Sequence, residues 1–422
     1  MTPAAWARPA AAQAERLTLW DVATLGAAGF LFLIYSQFWV FPILGDAGDP
    51  SASGLVRAIF LPAYAAGVAL MALSPGATLR ATARQPFLIA LMVVVGLSTL
   101  WSIAPDQTAR RVFAVYCTTL GGIVIAARFT WARLSEVLAA CFAALAVIAF
   151  LAGLLVPSIG VMHEIFPGAW RGVWPEKNAL GGIMALGFAV LAAAGVLNPR
   201  RAPVWWTFAG LSLLMVVLST SKTSLVSLLM GLGAMIFVGL VRRGPVTRLA
   251  TVWLAVVGVG LVAGVMLFAA DAVFEILGKD ATLTGRTKIW AAAMRQIELR
   301  PWTGYGYGVV WDVKDNWAPL HAIRKEADFT PIHAHNSWIE QWLGLGVFGL
   351  AAFGLFYLQT LALGAVAVFR EKGAYLAFPV LVIYTLMTLT ESMAVTYNDF
   401  RWVLFVIVAV KLAWPDREVE RG

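Results

Sequence analysis

Residue types suited to group transfer stand at both ends of one long polar stretch of this chain, from Thr284 to Gly349. Arg286 opens the stretch, and its planar guanidinium can hold a phosphate through two hydrogen bonds. His333 and His335 lie near its end, just before an apolar helix, where an imidazole can titrate and act as a base. The pattern therefore predicts anion binding beside a proton-accepting group.

The histidine pair is open to more than one interpretation. His335 is followed directly by Asn336 at the predicted helix start, so this dipeptide could also be a simple polar cap. His333 and His335 are two residues apart and would not share a helix face, so no zinc site is predicted. We interpret His335 as a candidate catalytic base, and His333 and Asn336 as candidate substrate contacts.

The segment 285–299 has the spacing of an amphipathic helix that lies in the membrane interface. Arg286 stands at its start, where a positive charge opposes the helix dipole unless an anion lies between them. We therefore interpret Arg286 as an anion-binding residue, and Lys288 and Arg295 as contacts to lipid headgroups. The apolar face comprises Ile289, Trp290, Ala293, Met294 and Ile297.

A second polar segment, 166–178, contains Arg171 and Lys177. These cations could bind an anion, with Asn178 capping the helix that follows. They could equally anchor the segment at lipid headgroups together with Trp170. Both interpretations remain open for this segment taken alone.

Two shorter motifs carry further candidates. Lys222 lies in the Ser-rich turn 219–224, which could bind phosphate or could simply satisfy two helix ends. Tyr305 and Tyr307 alternate with glycines and are predicted to offer faces to sugar rings. Their glycine pattern lacks the strand and helix that dinucleotide binding would require.

Acidic residues near the ends of apolar stretches are the last candidates. Glu340 and Glu391 are costly in a membrane and are expected to be functional or paired, for example with an arginine on the same face. Asp399 and Arg401 are expected to form a local pair. We include Glu340 among the predicted substrate contacts.

The elements that must position these residues are apolar. The chain has 422 residues, of which 60% are hydrophobic and 13% charged, whereas soluble domains carry about 25% charged residues. A bilayer-spanning helix needs roughly 20 apolar residues, so an all-α integral membrane protein with about twelve transmembrane helices is predicted. The predicted spans are 22–44, 57–74, 87–101, 112–127, 135–156, 178–197, 203–218, 222–241, 249–270, 338–363, 374–392 and 400–414.

Basic residues recur in every second connection between these spans. The positive-inside rule then predicts that these connections and both termini are cytoplasmic, and that the polar candidates face outward. The net charge of +8 is thus a topology signal, and dispersed arginine pairs do not indicate nucleic-acid binding. The basic connections hold Arg80 and Arg84, Arg128 and Arg133, Arg200 and Arg201, Arg242, Arg243 and Arg248, and Arg370 and Lys372.

The predicted spans and their orientation divide the chain into five parts. Cys117 and Cys141 fall inside spans without metal-ligand spacing, and the N-terminus shows no pattern of a cleavable signal peptide. The predicted parts are a cytoplasmic tail (1–18), spans one to nine (19–270), an outer loop with an amphipathic helix (271–336), spans ten to twelve (337–414) and a second cytoplasmic tail (415–422).

Several motifs in fixed order resemble those of a known superfamily over residues 160–360. The pattern is similar to that of the O-antigen ligases and Wzy-type polymerases, which are bacterial membrane glycosyltransferases. The motifs are Arg171 to Asn178, Arg286 with Trp290, Pro301-x-x-Gly304-x-Gly306, His335-Asn336, and Gly344-x-Gly346-x-x-Gly349.

The resemblance implies a function and partners. It implies a GT-C-like fold in the bacterial inner membrane, with an active site that faces the periplasm. The implied donor is an undecaprenyl-diphosphate-linked oligosaccharide, transferred without metal or other cofactor. Arg171 and Arg286 would bind the diphosphate, and His335 would activate an acceptor hydroxyl. The implied partners are a glycan or lipid A-core acceptor, the bilayer and a chain-length regulator, and no nucleic acid.

The acceptor separates two activities. A polymerase uses another lipid-linked glycan, and the segments 177–181 and 221–224 resemble exopolysaccharide polymerases more closely than ligases. A ligase uses the lipid A core, and the shared histidine motif leaves that activity open. A flippase without catalysis is the alternative of another class, but it would be expected to carry ionisable or broken segments at mid-membrane in paired halves.

Overall fold

The computed structural model describes residues 18–45, 54–268 and 285–419. In these ranges the chain is helical, with one isolated antiparallel bridge between Val161 and Trp170 and no strand. Two 3-10 turns lie at Ser98–Leu100 and Pro199–Arg201. The α-helices are α1 (Leu19–Tyr35), α2 (Val40–Leu44), α3 (Gly54–Leu73), α4 (Pro75–Ala83), α5 (Pro86–Leu97), α6 (Pro105–Arg128), α7 (Trp131–Leu155), α8 (Pro157–Gly160), α9 (Lys177–Leu197), α10 (Ala202–Leu218), α11 (Lys222–Val241), α12 (Pro245–Phe268), α13 (Arg286–Leu299), α14 (Pro319–Ala327), α15 (Ser337–Arg370), α16 (Ala374–Thr390), α17 (Phe400–Ala413) and α18 (Asp416–Val419).

Eight of the described helices are long and apolar enough to cross a membrane, or nine if α4 and α5 form one span bent by 92°. The protein is therefore a multi-pass membrane protein. Each of the twelve predicted stretches contains a helix, but α1, α16 and α17 have only 14 to 17 residues. At 1.5 Å per residue they reach about 21–26 Å, short of the hydrocarbon core of roughly 30 Å. The first predicted span is interrupted at Gln37, whose φ is 56°.

The core forms where helices are covered on all sides. Helix α9 packs against α7, α10, α11 and α16, and it is buried along most of its length. Its glycines permit this approach, since a Cβ at Gly187 would lie 2.9 Å from the Phe142 ring. Helix α17 is likewise enclosed, and its Phe405 stacks on Tyr384 with ring centroids 4.4 Å apart. Short helices such as α17 can be accommodated because protein surrounds them.

Contacts between connections divide the helix ends into two sets. In one set, Arg84 of a basic connection pairs with Glu418 at 3.2 Å. In the other, the Trp101 indole donates to the Thr303 carbonyl at 2.7 Å, joining two connections predicted to face outward. Basic connections thus contact one another, and the alternating topology stays a prediction. Further contacts of the first set join Arg201 to Glu136, Arg133 to Asp21, and Arg242 to the Glu371 carbonyl.

The predicted helix at 285–299 is confirmed as α13, and its apolar face packs largely against protein. Ile289, Ala293 and Ile297 are buried against α14 and the start of α15. The position of this helix in the membrane interface stays a prediction. A second segment, α14, covers the apolar face that the sequence pattern assigns to the membrane.

Helix α15 is interrupted at Gly346, where the backbone has φ 68° and ψ −167°. The residues 301–306 lie against this interruption. The amides of Tyr305 and Gly306 donate to the carbonyls of Leu343 and Gly344, and the Val347 amide donates to a carbonyl of the loop. The loop thus satisfies backbone groups that an interrupted helix would leave unpaired.

Replacement of Gly346 by alanine is expected to destabilise the protein by about 3 kcal/mol or more. Its φ and ψ lie in a region open almost only to glycine, and a Cβ would lie 2.2 Å from the Trp302 carbonyl. Gly354→Ala in the same helix is the control, because its nearest neighbour would be an ordinary 3.8 Å away at Trp338. Unfolding in detergent measures both variants, and equal stabilities would contradict the strain at Gly346.

Candidate active site

An arginine, a histidine and a glutamate from three parts of the chain meet at one place. Arg286 Nη2 lies 3.4 Å from His335 Nδ1 and 3.4 Å from Glu391 Oε1. His335 Nδ1 lies 3.5 Å from Glu391 Oε2. The three side chains are 21%, 26% and 25% exposed, so a substrate can reach them. The expected pairing of Glu391 with an arginine is confirmed.

Helix ends position these three residues. Arg286 is the first residue of α13 and follows Gly285, whose left-handed φ of 84° turns the chain into the helix. His335 precedes Asn336, the N-cap of α15, and Glu391 is the C-cap that follows α16. Hydrogen bonds then join the segments, since Ser337 Oγ donates to the Glu391 carbonyl at 2.7 Å. A group at a helix end is held by the helix but remains open to solvent.

Two further side chains hold the histidine segment in place. The Trp290 indole of α13 donates to the Ala334 carbonyl at 2.8 Å. The Glu340 carboxylate accepts from the Ala334 amide and from Ser392 Oγ, each at 3.1 Å, and from the Trp311 indole. Glu340 therefore links the segment that carries His335 to the segment that carries Glu391. Its role as a substrate contact stays a prediction.

His333 supports the backbone of His335. Its Nδ1 accepts the His335 amide at 3.2 Å, and the two ring centroids lie 3.9 Å apart. His335 has a left-handed φ of 51°, which costs energy in any residue with a side chain. Because its Nδ1 is an acceptor, His333 must carry its ring proton on Nε2 and stay neutral in this arrangement.

Burial and neighbouring charges shift the pKa values of His333 and Glu391. Burial lowers the pKa of His333 from 6.5 to about 3, and the neighbouring His335 adds to this effect. Burial alone would raise the pKa of Glu391, but the hydrogen bond to His335 and the charge of Arg286 hold it below its ordinary value. Glu391 is therefore an ionised acceptor at neutral pH, while His333 is uncharged.

The protein is expected to lose stability between pH 7 and pH 5 because of His333. A folded-state pKa of about 3 lies below the ordinary 6.5, so the unfolded chain binds more protons in this window. The free energy of unfolding is unaffected by His333 above about pH 6.5. It decreases as the pH falls, by up to about 2 kcal/mol at pH 5. His333→Gln keeps an acceptor and cannot titrate, so its unfolding free energy should depend less on pH. An equal pH dependence in both proteins would refute this assignment.

Comparison with known proteins adds to this geometry. Residues 207–354 match the sequence model of the family described as O-antigen ligase (Wzy_C). The chain is also 29% identical over 192 residues to the exopolysaccharide production protein ExoQ of Rhizobium meliloti (strain 1021). The resemblance to the O-antigen ligase and Wzy-type superfamily is confirmed. The alignment covers 42% of this chain and 43% of ExoQ, so the chain spans less than half the length of this curated relative.

The match to the O-antigen ligase family divides the candidate site. Arg286, His333 and His335 lie within the matched residues 207–354, together with the interruption of α15. Glu391 lies outside that segment. The three-residue cluster therefore joins the family segment to a later part of the chain.

Arg171 is held by its own segment. Its Nε donates to the Ile159 carbonyl at 2.9 Å and its Nη2 to the Ser158 carbonyl at 3.3 Å. Its guanidinium also lies over the Phe41 ring, 4.4 Å from the centroid. These contacts connect Arg171 to α8 and α2, whereas Arg286 contacts His335 and Glu391. A shared phosphate site for Arg171 and Arg286 stays a prediction.

Lys177 and Lys222 come close to one another, as first residues of α9 and α11. Lys177 Nζ donates to Thr220 Oγ1 at 3.3 Å and lies 3.8 Å from the centroid of the Phe166 ring. The charges of the two lysines repel each other. The structure thus combines two segments that were separate candidates, and phosphate binding there stays a prediction.

The tyrosines do not have the position expected of sugar platforms. Tyr305 and Tyr307 are buried, and their hydroxyls donate to the carbonyls of Gln296 and Val395 at 2.9 and 2.6 Å. Neither ring offers a free face, so that prediction is corrected by their burial. Asn336 Oδ1 accepts the amides of residues 338 and 339, which confirms the interpretation as a polar cap.

A metal ion has one conceivable position among the described residues. Ligand atoms of His333, His335 and Glu391 lie within 4.8 Å of one another. The argument against a histidine pair assumed a helix, whereas both histidines precede α15. Arg286 nevertheless contacts two of the three groups, and its positive charge would oppose a cation there.

Sequence patterns did not single out Arg111. This buried residue of α6 donates to the Gly308 carbonyl and pairs with Asp312, which anchors the loop that supports the site. Its one signal was a cation in a connection predicted to face outward.

The expected pair of Asp399 and Arg401 is confirmed, with Arg401 Nε 3.0 Å from the Asp399 carboxylate.

Proposed function

We propose that this protein is a periplasmic-face glycosyltransferase of the inner membrane that transfers an undecaprenyl-diphosphate-linked oligosaccharide to a glycan acceptor. The proposed acceptor is a second lipid-linked glycan, which makes the enzyme an exopolysaccharide or O-antigen polymerase. The observation that carries the proposal is the contact between Arg286 and His335 at a partly exposed site within the family segment. The relative ExoQ, described as an exopolysaccharide production protein, supports the choice of polymerase.

The chemistry follows from these two side chains. An acceptor hydroxyl attacks the anomeric carbon of the donor sugar, and the bond from that carbon to the diphosphate oxygen breaks. His335 takes the hydroxyl proton, and undecaprenyl diphosphate leaves with the electron pair of the broken bond. Arg286 stabilises the negative charge on the leaving group, the role that a metal cation has in other transferases. Arg171, Lys177 and Lys222 are proposed as further contacts to the diphosphate.

The proposal includes a topology. Twelve crossings with both termini in the cytoplasm would place the basic connections inside and the cluster of Arg286, His335 and Glu391 outside. The contacts among basic connections support a common side for them. The short helix α17 would cross within the protein rather than against lipid, because most of its residues are buried.

Reconstitution of the full chain with an undecaprenyl-diphosphate-linked repeat unit tests the proposal. A polymerase yields a ladder of repeat multiples and free undecaprenyl diphosphate from the donor alone. A ligase yields product only after lipid A core is added. Movement of the donor between leaflets without a new glycosidic bond would instead indicate a flippase and overturn the proposal. Product that survives saturating EDTA would support transfer without a metal.

A further inference from the structure

We propose that Glu391 is a positioning residue that fixes the ring proton of His335 on Nδ1. This inference rests on the proposed function, in which His335 is the base. It concerns a residue outside the segment that matches the O-antigen ligase family. The observation behind it is that two groups of opposite character approach the same ring nitrogen.

His335 Nδ1 can satisfy only one of its two neighbours. Arg286 Nη2, at 3.4 Å, is a donor, and Glu391 Oε2, at 3.5 Å, is an acceptor. A ring nitrogen either carries a proton and donates, or has a lone pair and accepts. The first arrangement pairs His335 with Glu391 and leaves Nε2 unprotonated. The second pairs His335 with Arg286 and puts the ring proton on Nε2.

The contacts favour the first arrangement. Arg286 Nη2 also lies 3.4 Å from Glu391 Oε1, so it keeps a partner when His335 donates to Oε2. In the second arrangement, a carboxylate oxygen would face a nitrogen lone pair at 3.5 Å, which is repulsive. Glu391 is also fixed at its backbone, because its carbonyl accepts Ser337 Oγ and its amide donates to Met387.

The consequence is that Nε2 of His335 is the nitrogen that can accept a proton. With the proton on Nδ1, the Nε2 lone pair is available to an acceptor hydroxyl, and the negative carboxylate stabilises the imidazolium that forms. His333 cannot take this part, since its Nδ1 is already occupied by the His335 amide. When the donor diphosphate draws Arg286 toward itself, Glu391 remains as the partner of His335.

Nitrogen NMR of the full chain with 15N-labelled histidine tests the proposal directly. The chain has four histidines, and His335→Asn identifies the signal of interest. At a pH where the ring is neutral, the wild-type ring should be protonated at Nδ1. A wild-type ring protonated at Nε2 would overturn the proposal, whatever happens to any variant.

Kinetics of Glu391→Gln provide the second measurement. The amide keeps the shape but loses the charge, so we expect the Nδ1-protonated form to lose its preference and kcat to fall by on the order of 10²-fold or more. Glu391→Asp should restore part of both, and formate should partly rescue Glu391→Ala. Glu326→Gln is the matched control, because Glu326 pairs with Arg295 away from His335.

The outcomes separate this proposal from the proposed function. A change in kcat without a change in the ring proton, or the reverse, overturns the role of Glu391. A wild-type protein that forms no glycosidic bond while its ring is protonated at Nδ1 contradicts the proposed transferase function alone.

Discussion

Arg286→Lys is expected to lower glycan transfer by about 10²-fold or more, and Arg286→Ala to abolish it. A lysine keeps the charge but loses the planar fork that can hold a phosphate oxygen and the Glu391 carboxylate together. The side chain lies 3.4 Å from both His335 and Glu391, so its loss removes the cation from the centre of the site. Transfer from a purified lipid-linked repeat measures the effect.

The same helix offers a control for Arg286. Lys288 is the next cation along α13, and it pairs with Asp328 on the exposed surface at 3.0 Å. Lys288→Ala removes a positive charge from α13 but leaves the cluster intact, so transfer should change by less than about twofold. Wild-type turnover in Arg286→Lys would exclude a role for the planar guanidinium, and equal losses in Arg286→Lys and Lys288→Ala would indicate a general effect of charge.

Apolar periodicity predicted the helices well because a membrane helix satisfies its own backbone over about 20 residues. Breaks inside apolar sequence were harder to predict. The turn at Gln37 has no strong signal in composition. The environment of α13 was also missed, since the segment that covers it, α14, begins 20 residues after α13 ends.

The site was predictable where a residue's own chemistry was sufficient. Arg286 and His335 are polar groups in a chain of low polarity, and their meeting is observed. The part played by Glu391 depends on the end of α16, more than 50 residues after His335, which no local pattern specifies. The burial of Tyr305 and the hydrogen bond that His333 accepts likewise come from tertiary packing.

His335→Asn is expected to lower kcat by about 10²- to 10⁴-fold while donor binding is retained. Asparagine tolerates the left-handed backbone at this position, so the variant separates chemistry from the strain that His335→Ala would add. Arg286 keeps its partner Glu391 in the variant and can still hold the diphosphate. Product formation and binding of a radiolabelled donor, measured on the same preparation, distinguish the two effects.

A histidine outside the cluster supplies the comparison for His335. His321 lies on the exposed side of α14, so His321→Asn should retain wild-type transfer. Added imidazole should restore part of the activity of His335→Ala, because a free base can then take the acceptor proton. Full transfer by His335→Asn would show that the acceptor hydroxyl loses its proton elsewhere. Loss of donor binding in that variant would make His335 a phosphate ligand, which would leave the reaction without its base and require another group at the cluster to supply one.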